Sequence, residues 1–134
     1  MVNMENLDIV MEKIINRCKA SGLAIVDLKN GDIVRIINNS DLPQEVMELA
    51  CEAAVEMFKG QLVNKMFFEV GKYRPTTSSL NLESIRFTFT NAYHWMTLVK
   101  NYIVILVAPK LGISAGYIET VFRSYIPQLE SNLE

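Results

Sequence analysis

The chain has 134 residues, 50% of them hydrophobic and 21% charged, with a formal net charge of −2. At that length one domain over residues 1–134 is expected, able to bury roughly two-thirds of its unfolded surface without a disulfide or metal staple. The composition excludes disorder and collagen-like repeats, and the slightly acidic balance gives no basic footprint for nucleic acid and no polybasic segment for a lipid surface.

The N-terminal segment carries Glu5, Asp8 and Glu12, which the apolar core of a signal peptide would not tolerate. The charge-free apolar run from Tyr102 to Pro109 is far shorter than the ~20 residues a bilayer span needs. Cys18 and Cys51 are too few for a disulfide scaffold and sit among apolar neighbours, as reduced buried thiols do. The expectation is a cytoplasmic protein that neither inserts in a membrane nor binds nucleic acid.

Asn3 can cap a first helix from Met4 to about Ala20, with Leu7, Val10, Met11, Ile14 and Cys18 on one face and Gly22 as the stop. Two β-branched runs, Leu23–Leu28 and Ile33–Ile37, flank Asn30-Gly31, which predicts a hairpin with a two-residue turn. The first of these strands is apolar on both faces and should lie inside the sheet. Asp41, with Gln44 three residues on and Pro43 between, predicts a capped second helix from Leu42 to about Lys59, ended by Gly60. Residues 61–80 read as a helical extension or extra turn, followed by a loop around Pro75 and Thr76-Thr77-Ser78-Ser79.

Three strands follow. Ile85, Phe87 and Phe89 alternate with polar residues, Tyr93–Val99 comes next, and Tyr102–Ala108 is apolar on both faces and so central. A last helix starts near Ser114 with the stripe Ile118, Val121, Phe122, Tyr125 and Leu129, and Pro127 should kink or loosen its end. The fold class is therefore α+β, an α/β sandwich in the order α-β-β-α-β-β-β-α. Its five-stranded antiparallel sheet carries the two terminal helices on one face and the second helix alone on the other.

That second helix is apolar on too many sides. At about 100° per residue, Leu42, Val46, Leu49, Ala50, Ala53 and Met57 form a stripe that suffices to pack on the sheet. Met47, Cys51, Ala54, Val55 and Phe58 then extend the apolar surface round the cylinder, leaving a strip of Glu45, Glu48, Glu52, Glu56 and Lys59. A surplus apolar face is covered either by residues 61–80 folding back or by a second copy of the chain. The second alternative predicts a dimer interface at Met47, Cys51, Ala54, Val55 and Phe58.

Gly22-Leu-Ala-Ile-Val-Asp-Leu-Lys-Asn-Gly31, the hairpin pair ending in Tyr102-Ile-Val-Ile-Leu-Val-Ala108, and Leu111-Gly-Ile-Ser114 leading into an amphipathic helix resemble the roadblock / dynein light chain superfamily. These are small domains of profilin-like fold, and the resemblance covers residues 4–60 and 82–131. Residues 61–80 are longer than the family's usual link. The resemblance implies homodimers, or heterodimers with a paralogue, through the second helix and the third strand, which brings Ile85 and Phe87 to the interface. It also implies partnership with a small Ras-like GTPase or a motor complex, as a regulator or scaffold.

No catalytic residue, cofactor site or metal site is expected. His94 is the only histidine and sits in a strand, and neither cysteine lies at ligand spacing. Asp27, Asp32 and Asp41 are explained by turns and a cap. Gly112-Ile-Ser-Ala-Gly116 fits neither a dinucleotide nor a P-loop pattern. Ser78, Ser79 and Thr76 have no base nearby in sequence. The rival to a non-enzymatic interaction module is a small-molecule sensor of PAS or profilin-like architecture, with His94, Trp95 and Tyr102 lining a cavity.

Overall fold

A computed structural model of the chain describes residues 2–74, 82–110 and 112–133. The elements are α1 (Met4–Cys18), β1 (Gly22–Asp27), β2 (Ile33–Asn38), α2 (Gln44–Lys59), α3 (Gln61–Gly71), β3 (Ser84–Thr88), β4 (Ala92–Val99), β5 (Tyr102–Pro109) and α4 (Ala115–Asn132). All strand pairs are antiparallel, in the spatial order β2-β1-β5-β4-β3. The two strands that are apolar on both faces, β1 and β5, lie side by side within the sheet, as their sequences require. Pro75, Thr76, Ser78, Ser79 and Leu111 lie outside the described residues.

Side-chain alternation divides the core in two. Leu23 and Ile25 of β1, Trp95 of β4, and Val104 and Leu106 of β5 point to the face covered by α1 and α4. Ala24, Val26, Met96, Ile103 and Ile105 point to the other face, where α2 lies. Arg86, on β3, reaches over the rings of Tyr93 and Trp95 at 5.9 Å from each, shielding the outer border of the first cluster. At the opposite border, Arg35 of β2 points toward α1, its Nε donating to Asp8 Oδ1 at 2.8 Å.

Several local expectations change. α1 stops at Cys18 because Lys19 takes the left-handed cap conformation, φ 51° and ψ 41°, which frees Gly22 to open β1. The β1–β2 connection is wider than a two-residue turn. Only Gly31 has positive φ there, and Asp27 closes the loop by accepting Gly31 N–H on its carbonyl and Lys29 N–H on its side chain, both at 2.8 Å. A bulge at Ile25/Val26 takes up the mismatch.

α2 begins at Gln44 with Pro43 at the cap position and no side-chain cap; Asp41 plays no part. Asn38 braces the approach instead, donating from Nδ2 to the Leu42 carbonyl at 2.8 Å and accepting from Ser40 Oγ at 2.6 Å. α4 runs through Pro127 to Asn132. Pro127 lies on the exposed side of the helix, where a main-chain carbonyl that loses its helical donor can turn to water.

Candidate interaction surface

β1 is low where α2 crosses it. Gly22 and Ala24 put almost nothing above the sheet, and a Cβ on Gly22 would lie 2.9 Å from the Met47 methyl. The helix settles into that depression with Met47, Cys51, Ala54 and Phe58 downward, all four buried. This corrects the expected interface: these side chains are spent on the chain's own sheet. Val55 is half-buried against the same cluster, and so is Ile85 of β3. Of the seven residues expected at an interface, Phe87 of β3 is the one clearly exposed.

The stripe expected to face the sheet faces outward. Leu42, Val46 and Leu49 are exposed, Leu49 by 63%, and Ala50, Ala53 and Met57 are partly covered. The surplus of apolar surface is real, but it lies on the other flank of the helix. The missed signal is in the helix itself: Glu45, Glu52 and Glu56 form the solvated strip, and the residues nearly opposite them round the cylinder are Met47, Ala54 and Phe58.

The two flanks of α2 point to different halves of the sheet. Gln44 and Glu48 line a shallow groove with Ile33–Ile36 of β2, and Lys59 Nζ donates to the Lys29 carbonyl at 2.9 Å. The polar flank therefore leans toward β2. The apolar flank of Val46, Ala50, Ala53 and Met57 leans toward β4 and β3.

On that half of the sheet lie Phe87, Phe89 and His94, with ring centroids 6.3 Å apart for Phe87–Phe89 and 4.8 Å for Phe89–His94. Among the described residues β3 has no neighbouring strand on its far side. Leu98 N–H donates to the Glu83 carbonyl and Phe89 N–H to the Ala92 carbonyl, so by alternation Ser84, Arg86 and Thr88 turn their main-chain groups outward. A greasy helix flank, an aromatic shelf and an exposed strand edge thus lie on the same half of the molecule.

α3 continues this surface. Gly60 separates it from α2, and no residue of α3 is buried. Leu62 is 80% exposed and Phe68 68%, with Met66 and Val70 also exposed. Residues 61–74 do not blanket the outer flank of α2, since Leu42, Val46 and Leu49 stay uncovered.

The residues weighed for chemistry do not converge. Trp95 and Tyr102 belong to the cluster under α1 and α4, whereas His94 faces the opposite side of the sheet beside Phe89, so the three line no common cavity. Burial pushes the His94 pKa below its ordinary value. Burial also raises both thiols to about 11, Cys51 further disfavoured as thiolate by Glu48 and Glu52. Ser114 fills the start of α4 itself, accepting the Tyr117 N–H on Oγ at 3.1 Å. An open cleft of about 650 Å³ at the β3–β4 end of the sheet is lined by Leu82, Ser84, Thr97, Lys100, Arg123 and Ile126, among others. Among the described residues no group of His, Cys, Asp and Glu is placed to hold a metal, and no helix is long and apolar enough to cross a membrane.

No protein-family model matches the sequence, and no curated protein is similar to it. Solved structures are similar in fold. Myxococcus xanthus MglB superposes with a TM-score of 0.73 at 11% identity, over 96% of this chain and 88% of that one. An MglB with tetrameric arrangement gives 0.72 at 10%, over 95% and 87%. A Roadblock/LC7 domain from Streptomyces avermitilis gives 0.62 at 10%, over 91% and 96%.

Proposed function

We propose that this chain, which has the roadblock/LC7 fold, is a non-enzymatic module that works as a dimer and serves as a regulator or scaffold for a small Ras-like GTPase or a related multiprotein complex. The observation that supports it most is the exposed apolar flank of α2, with Val46 and Leu49 exposed and Ala53 and Met57 partly so, on the same half of the molecule as exposed Phe87 and the edge of β3. Exposed apolar surface of this extent on a chain of this size marks a protein interface. A two-fold axis lets the same flank and the same strand edge meet their copies, burying the leucine and valine side chains and completing the main-chain hydrogen bonds together. The GTPase comes from the resemblance in sequence pattern to the roadblock / dynein light chain superfamily, and the fold shared with MglB and the Roadblock/LC7 domain supports that resemblance.

Sedimentation equilibrium tests the first half. The parent is expected to be a dimer at micromolar concentration and Leu49→Glu a folded monomer, because Leu49 is exposed and a carboxylate there costs the fold nothing but cannot be buried between two helices. A monomeric parent overturns the proposal. The second half is read from nucleotide release and GTP turnover by a candidate GTPase with and without the chain. An effect that is lost with Leu49→Glu supports regulation through the dimer; unchanged rates with co-purification leave scaffolding alone.

A further inference from the structure

We propose that α3 is an intermolecular arm, packed on the outer flank of α2 of a second copy of this chain; this rests on the dimer proposed above. Three observations lead there. First, α3 has the side chains of a core helix and none of its burial: Leu62, Met66, Phe68 and Val70 are all exposed, and Val63 and Phe67 only half-covered. An isolated helix of 11 residues is marginal in water, so this one needs something to lie against.

Second, its place in the chain specifies the occupant. The centre of the outer flank of α2 is Ala50 and Ala53, small residues that let a second helix approach closely. With the two-fold axis there, the copies of α2 run antiparallel, so Met57 meets Val46 of the partner subunit. The end of one helix then lies beside the start of the other. α2 spans 16 residues, about 24 Å. α3 starts two residues after it ends, with Gly60 between, at the point where Leu42 of the partner subunit stands exposed. Gly60, with φ −53° and ψ 130°, breaks the helix there and lets the arm turn along the partner's surface instead of overshooting it.

Third, the charges match. Within the arm Glu69 is paired with Lys72 just beyond its end, which leaves Lys65 to face a partner, while α2 carries Glu45, Glu48, Glu52 and Glu56 with no cation before Lys59. Glu45 borders Leu49 at the rim of the flank, within the reach of a lysine on an arm laid beside it.

Cross-linking between two preparations tests the arm. Leu62→Cys and Leu42→Cys variants are mixed and treated with a short thiol cross-linker; Cys18 and Cys51 are buried and stay silent. The mixed pair is expected to give at least tenfold more covalent dimer than either variant alone. In parallel, Leu62→Glu/Met66→Glu, which touches no buried residue, is expected to weaken the sedimentation dimer at least tenfold while leaving the circular dichroism unchanged. A dimer that forms undiminished in the double variant, with no excess of the mixed cross-link, overturns the arm and leaves the α2 dimer standing; a lipid surface or a third protein is then its occupant. A parent that sediments as a monomer overturns both.

Discussion

His94 shows how one residue reports on the surface around it. Its ring stands edge-on to Phe89 on the open half of the sheet, and partial burial holds its pKa below the ordinary 6.5. A depressed histidine pKa means that the unfolded chain binds the proton more readily than the native one. The stability this residue contributes is therefore present above the unfolded value and is lost as pH falls through the folded one. Urea midpoints should drop from pH 7 to pH 5 in the parent and drop less in His94→Gln. That His94 lies in a strand was legible from the sequence; its alignment with Phe87 and Phe89 needed the β3–β4 register, which pairs Phe87 with His94.

Among the elements, α2 separates what a sequence tells from what it leaves open. Its surplus of apolar residues was plain, and so was the need for a cover. Which stripe goes down was less plain, because both are apolar and only the position opposite Glu45, Glu52 and Glu56 favours Met47, Ala54 and Phe58. The decision belongs to β1, where Gly22 and Ala24 make the hollow that Met47, Cys51 and Ala54 fill. A strand read by itself shows no hollow until a helix is laid over it. Phe58 consequently belongs to the core. Phe58→Ala should cost about 3 kcal/mol of folding stability, read from urea denaturation, and a variant charged at this position should unfold instead of dissociating. The two central strands and the division of the helices between faces followed from apolar patterning alone; the spatial order β2-β1-β5-β4-β3 came from the structure. The end of α1 at Lys19 and the wide β1–β2 loop did not, since both turn on local hydrogen bonds that residue type does not fix.

At the scale of the whole molecule, one face is finished and the other is not. Under α1 and α4 the core is sealed from Leu7 to Leu129, and Asn3 N–H donates to the Asn132 carbonyl at 3.2 Å, fastening the start of one helix to the end of the other. On the far face, α2 covers β1, β2 and β5 and reaches Met96 of β4, while among the described residues Phe87 and Phe89 stay exposed. If a second copy completes that face, folding and association share one free energy, and the melting temperature must depend on protein concentration. The parent should melt several degrees higher at 100 µM than at 1 µM, by ~5 °C for a domain of this size, whereas Leu49→Glu should melt at one temperature throughout.

The Arg35–Asp8 pair has a bearing on growth. Joining two sheets through one margin leaves the opposite margin, β2, available in each copy, and an undefended strand there would recruit molecule after molecule into a fibre. A guanidinium anchored beneath that margin makes it a poor template for further strands. A dimer joined through β3, as proposed above, would thereby be closed to further growth at β2.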